Sequence, residues 1–148
     1  KNIKDHSENL TKLGTKLTKI QFSYKVEYKP SKIYWQKRIE NFEKYKETGL
    51  DYYNEVYSLM NLINKEESQM FLLRISKFHQ LGSTLIETMK KIENNPSIID
   101  SKDRQQSLWS KKIKEQITEH SDDCLNHEKE MNFLFRTFYE KYLKKILE

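Results

Sequence analysis

The fold is decided by residues 35–63, which read WQKRIENFEKYKETGLDYYNEVYSLMNLI. Large apolar residues recur in this stretch at alternating steps of four and three, which places them on one face of an α-helix. Such heptad spacing is typical of helices that pack along their length. The pattern predicts a helix of residues 31–63, either continuous or broken at Gly49, because glycine favours helix ends. The seam consists of Trp35, Ile39, Phe42, Lys46, Gly49, Tyr53, Val56, Met60 and Ile63.

A second seam follows, with its register shifted by one residue. Residues 64–68, where the two seams meet, are polar. A single helix over residues 31–94 would be unusually long for a small domain. We therefore expect at least one break, at Gly49 or at the polar junction, and a helix of residues 67–94. Its seam continues through Phe71, Ile75, Phe78, Gly82, Leu85, Met89 and Ile92.

Helices are also predicted on both sides of this pair. A helix of residues 7–29 should end before Pro30, because a residue that precedes proline disfavours helical geometry. The turn-forming residues 94–97 predict a loop, and a last helix follows at residues 101–147. The first helix has an apolar face of Leu10, Leu13, Leu17, Ile20 and Tyr24. The last one has a stripe of Trp109, Ile113, Ile117, His120, Cys124, Met131, Phe135, Phe138, Tyr142 and Ile146, which Phe133, Leu134 and Leu143 widen near the end.

The composition excludes a sheet protein. Three glycines and two prolines in 148 residues are too few for the turns of an all-β fold. Alanine is absent, so the helices must pack through Leu, Ile, Met and aromatic side chains. We predict an all-α protein with a single domain of residues 1–148. Its architecture should be an antiparallel bundle of three to five long amphipathic helices with coiled-coil-like seams.

Cysteine content and hydropathy bear on the compartment. The single cysteine, Cys124, excludes an intramolecular disulfide. The longest uncharged apolar run, Met70–Leu73, is far shorter than the roughly 20 residues that span a bilayer. These features favour an intracellular protein that is soluble or peripheral to a membrane.

Three potential metal ligands lie along one face of the last helix. His120, Cys124 and His127 are separated by steps of four and three residues. A tetrahedral zinc site would need a fourth ligand, and no second cysteine supplies one. The alternative is that Cys124 packs as a small hydrophobic residue and the histidines are solvated or hydrogen-bonded. We expect this second arrangement, with no metal and no cofactor.

Arg74 and His79 are candidate catalytic residues. The segment Arg74-Ile75-Ser76-Lys77-Phe78-His79 resembles the Arg-x4-to-6-His motif of HEPN-type ribonucleases, which are also helical bundles. The resemblance implies an RNA-binding or RNA-cleaving bundle in which His79 moves a proton and Arg74 holds the scissile phosphate. The competing interpretation places the two side chains on different sides of a helix, where they flank the seam.

A run of lysines extends along the first predicted helix. Lys12, Lys16 and Lys19 recur at steps of four and three, and Lys25 and Lys29 extend the run. A basic amphipathic helix binds an anionic membrane, an acidic partner or phosphates, unless its lysines form an ordinary solvated face. With long helices beside it, this arrangement is similar in outline to BAR-type domains, which implies membrane-surface binding.

Sustained seams and the absence of a convincing catalytic constellation favour a non-enzymatic interaction or scaffolding module. The expected partner is another protein or a second copy of this chain. An anionic membrane surface is the second alternative. Nucleic acid is the third, because basic residues outside the first helix are intermixed with acidic ones.

Overall fold

The computed structural model describes residues 2–148, and all of their regular secondary structure is helical. Four long helices carry the fold: α1 (Ile3–Lys19), α2 (Lys32–Ile63), α3 (Lys65–Asn94) and α4 (Arg104–Phe138). A 3₁₀-helix (Pro96–Asp100) precedes α4. A π-helical turn (Tyr139–Leu143) joins α4 to the short helix α5 (Lys144–Leu147). The predicted all-α class is confirmed.

The prediction that the first helix extends to residue 29 is wrong. A capping box between Asn2 and Asp5 starts α1, and the helix ends at Lys19. Residues 20–31, which we call the strap, are not helical. Aromatic and β-branched side chains alternate there with polar ones, a period of two that suits extended backbone. The half-buried side chains of the strap are Phe22, Tyr24, Val26 and Tyr28.

The break in the long middle segment lies at the polar junction. Asn64 has an extended backbone and its side chain accepts a hydrogen bond from the Glu67 amide at 3.1 Å, so one residue ends α2 and caps α3. Helix α2 continues through Gly49, which packs against the Phe78 ring of α3. Contacts of Gly49 with Phe78 and of Lys46 with Ser83 place α2 and α3 antiparallel.

The buried apolar residues form two clusters along the bundle. The cluster near the Asn64 turn includes Tyr53 and Phe71, and the other cluster includes Trp35 and Ile117. Lys46 lies between them along α2 and is only 9% exposed. Its ammonium donates a hydrogen bond to Ser83 Oγ at 3.0 Å, so a polar contact interrupts the long seam.

The apolar stripe predicted for the last helix is only partly buried. Phe138 is 2% exposed, and Phe135 is half-buried. Trp109 and Phe133 were predicted on or beside the buried stripe, yet they are 44% and 61% exposed. The stripe is wider than the contact that α2 and α3 provide, so its margins remain in solvent.

The π-helical turn changes which residues of the C-terminal turns are buried. A π turn contains more residues than an α turn, so the residue that faces the core shifts along the chain. Leu143 is therefore fully buried, while Ile146, which was predicted on the stripe, is exposed. None of the helices in residues 2–148 combines the length and the hydropathy that crossing a bilayer requires.

Candidate interaction surface

A groove of about 220 Å³ separates α3 from α4 near the Asn64 turn. Core residues Met60, Phe71 and Phe138 line it from below. Met70 on α3 and Leu134 on α4 line its sides. The floor and sides of the groove are therefore largely apolar, while Glu67, Arg74, Thr137 and Lys141 complete its lining.

Large apolar side chains are exposed on the two helices that form this groove. Met70 is 65% exposed, Leu73 is 72% exposed, and Phe133, which follows the groove along α4 next to Leu134, is 61% exposed. On α3 these side chains are exposed because Met70–Leu73 is a run of four consecutive apolar residues, and four successive residues point around nearly the whole helix. Phe71 enters the core and Met70 and Leu73 remain outside. We call Met70, Leu73 and Phe133 the apolar face.

Ion pairs mark the two ends of the groove. Arg74 pairs with Glu130, and Lys141 lies 3.4 Å from a carboxylate oxygen of Glu67. The Tyr142 hydroxyl also donates to Glu67, at 3.2 Å. Exposed ion pairs stabilise a fold little. They join α3 to α4 at both ends of the groove, whose floor is formed by buried core residues.

The structure does not bring Arg74 and His79 together. The Arg74 guanidinium is bound by Glu130. His79 is exposed and, five residues further along α3, lies about 140° away around the helix. In this arrangement the two side chains do not face a common phosphate.

The candidate metal ligands also have separate environments. The Nε2–H of His127 donates to the backbone carbonyl of Arg74 at 2.7 Å, which joins α4 to α3. Cys124 is fully buried, and burial raises the pKa of its thiol to about 12. His120 is half-buried. Within residues 2–148, no group of three or more His, Cys, Asp or Glu side chains is arranged to hold a metal ion.

The predicted lysines do not form one ridge, because α1 ends at Lys19 and Lys25 and Lys29 belong to the strap. Lys16 and Lys19 line a groove of about 540 Å³ together with Lys44 of α2. Lys25 lines a neighbouring groove of about 460 Å³ with Lys37 and Arg38. Lys12 is exposed on α1, while Lys29 lies 3.2 Å from Glu27 and over the Tyr34 ring. The expectation of a continuous helical ridge is wrong, but basic side chains do converge between α1 and α2.

A buried carboxyl group lies among tyrosines, and the sequence pattern gave no sign of it. The Tyr45 hydroxyl donates to Oε1 of Glu128, while Oε2 of Glu128 and the hydroxyl of Tyr24 are buried without a hydrogen-bond partner. Burial raises the pKa of Glu128, and the hydrogen bond from Tyr45 opposes the shift. Burial, followed by the negative charge of Glu128, raises the pKa of Tyr24 and of Tyr45. The cluster joins the strap, α2 and α4, which no spacing within one helix reveals.

Comparison of the chain with protein-family models, curated proteins and solved structures gives no match.

Proposed function

We propose that this chain is a non-enzymatic protein-interaction module that binds through the apolar face of α3 and α4. The observation that carries the proposal is the exposure of Met70, Leu73 and Phe133 on the two helices that line a largely apolar groove. Single exposed apolar residues are ordinary, whereas a group of large ones next to a groove is typical of a binding surface. Burying each such side chain stabilises a complex by about 1.5–3 kcal/mol before association costs.

Membrane-surface binding is the second candidate, and the groove of Lys16, Lys19 and Lys44 favours it. Leu10, on the apolar side of α1, already lies in the core. Contact with a bilayer would therefore be electrostatic rather than insertion of α1, and it would weaken as salt screens the lysines.

The test replaces Leu73, at the centre of the apolar face, with Asp. Leu108, 62% exposed near the start of α4, gives a matched control as Leu108→Asp. Both changes are at the surface, so each variant should keep the melting temperature of the wild type within a few degrees.

We expect Leu73→Asp to lose the specific proteins that the immobilised wild type captures from lysate, and Leu108→Asp to keep them. Equal capture by all three proteins would contradict the assignment of the face. Co-sedimentation with anionic vesicles that Lys16→Glu/Lys19→Glu abolishes and Leu73→Asp leaves intact would instead support the membrane candidate.

A further inference from the structure

The exposed side of α3 carries an ordered pattern of charge around its two apolar residues. Glu66, Met70, Leu73 and Lys77 follow one another at steps of four, three and four residues, and all four are exposed. On an α-helix these steps keep the four side chains within about 60° of one another. The stripe thus runs acidic, apolar, apolar, basic along the helix.

This order is antisymmetric about the midpoint between Met70 and Leu73. When an identical helix lies antiparallel across that midpoint, Met70 faces Leu73 of the other copy and Glu66 faces Lys77. A two-fold contact between identical chains requires this self-complementary arrangement. In a parallel arrangement in register, Glu66 would face Glu66 and Lys77 would face Lys77, and like charges oppose association.

Glu66 and Lys77 are also free to serve an external contact. Within residues 2–148, neither side chain takes part in an ion pair or a side-chain hydrogen bond with the rest of the chain. Their neighbours on α3 differ in this respect, because Glu67 binds Lys141 and Arg74 binds Glu130. The charges directed towards α4 are paired internally, and those on the stripe are not.

We propose that the apolar face is covered by a second copy of this chain, with the two α3 helices antiparallel about a two-fold axis between Met70 and Leu73. This inference rests on the proposed interaction function and names the partner. The groove beside Met70 is open to receive Leu73 of the other copy, and Phe133 extends the apolar contact onto α4. Because the face offers only three large apolar side chains per copy, we expect a weak dimer, with a dissociation constant on the order of micromolar.

The experiment measures the dissociation constant of the full chain by sedimentation velocity. Each of the variants Glu66→Lys and Lys77→Glu places like charges opposite each other twice, because the two-fold axis repeats every contact. We expect each to weaken dimerisation by about tenfold or more, and high salt to reduce the difference. Lys90→Glu, which alters an exposed charge of α3 outside the stripe, should leave the constant unchanged.

Two experiments that should restore dimerisation test the pairing of Glu66 with Lys77 of the other copy. The double variant Glu66→Lys/Lys77→Glu should dimerise like the wild type, since it reverses both charges of each pair. An equimolar mixture of the two single variants should form a heterodimer, because both stripe charges are then positive on one chain and negative on the other. Failure of either restoration, or dimerisation of the single variants at wild-type strength, would overturn the antiparallel pairing.

The outcome also separates this inference from the proposed function. Wild-type chain that stays monomeric at about a hundred times the expected dissociation constant, while Leu73→Asp still abolishes capture of another protein, removes the second copy as partner and keeps the interaction function. A dimer and captured proteins that both survive Leu73→Asp would remove both proposals.

Discussion

Lys46 crosses α3 at Gly82, and this crossing determines what Gly82→Ala should do. A methyl group at Gly82 would lie 2.7 Å from Cδ of Lys46 and 3.4 Å from its Cγ, whereas carbon atoms attract best at about 3.5–4.0 Å. The stem of Lys46 is buried, and its ammonium is held by Ser83 at 3.0 Å. Overpacking of this kind costs about 1–3 kcal/mol, against a gain of about 1 kcal/mol from helix propensity. We expect Gly82→Ala to lower the free energy of unfolding by about 1 kcal/mol.

Gly49 supplies the matched control, since it is also buried within a long helix. A methyl group there would lie 3.5 and 3.6 Å from two ring carbons of Phe78, which is ordinary contact. The propensity gain then remains, so Gly49→Ala should raise the free energy of unfolding by about 1 kcal/mol. The two alanine variants should differ by about 2 kcal/mol, or roughly 4–8 °C in melting temperature.

A double-mutant cycle tests the cause. In a Lys46→Ala background the obstructing stem is gone, and Gly82→Ala should become stabilising by about 1 kcal/mol. Urea unfolding followed by far-UV circular dichroism measures all four proteins of the cycle. If Gly82→Ala stabilises the wild type as Gly49→Ala does, or if its effect is the same with and without Lys46, the reasoning about the crossing is refuted.

Two further changes probe the buried carboxyl group and the core of α4. Burial holds the pKa of Glu128 above its ordinary value of 4.5, so ionisation opposes folding and stability is lost as the pH rises through the raised pKa. Glu128→Gln should therefore flatten the fall in melting temperature above pH 4.5 and melt higher than the wild type at neutral pH; an unchanged pH profile would contradict this. Phe138→Ala should lower the free energy of unfolding by about 3–5 kcal/mol, because the ring is buried. Phe133→Ala should change it by less than about 0.5 kcal/mol, and a larger loss in urea unfolding would mean that Phe133 is buried.

The periodic parts of the fold were readable from the sequence. The seam from Trp35 onward predicts α2 to its last residue, because heptad spacing of large side chains has one efficient solution, a buried helical face. The sequence leaves two positions for the break, since both Gly49 and the polar junction at Asn64 have residues that favour helix ends. In the structure Asn64 ends α2 and caps α3, while Gly49 lies within α2 and packs against Phe78, a contact that lies across the turn.

The strap differs from the predicted helix because Tyr24 follows Ile20 by four residues, a step that fits a helix as well as an extended segment. The period of two through Phe22, Tyr24 and Val26 was present in the sequence and carried the better signal. The π-helical turn had no comparable signal. It depends on how Leu143 fits the core formed by α2 and α3.

The interaction surface was only partly visible in advance. The run Met70–Leu73 is visibly apolar in the sequence, and its shortness excludes a membrane span. One helix cannot bury four consecutive apolar residues against one core, so part of this run must be exposed. The contact of Glu128 with Tyr45 spans 83 positions, so only the packing of α2 on α4 reveals it.

In the strap, the side chains are packed in place but the backbone lacks the hydrogen bonds of a helix or a sheet. Its rings are fixed: Phe22 stacks on Tyr45 with centroids 5.2 Å apart, and the Tyr28 hydroxyl donates to the carbonyl of Lys114 at 2.9 Å. Its backbone has no neighbouring strand in residues 2–148, and most of its amides donate no hydrogen bond within the described chain, so no ladder protects them from exchange. Hydrogen–deuterium exchange along residues 20–31 should consequently be fast even while slow ring flips report a rigid environment. Rapid amide exchange would then mark a segment that is held by its side chains rather than by its backbone.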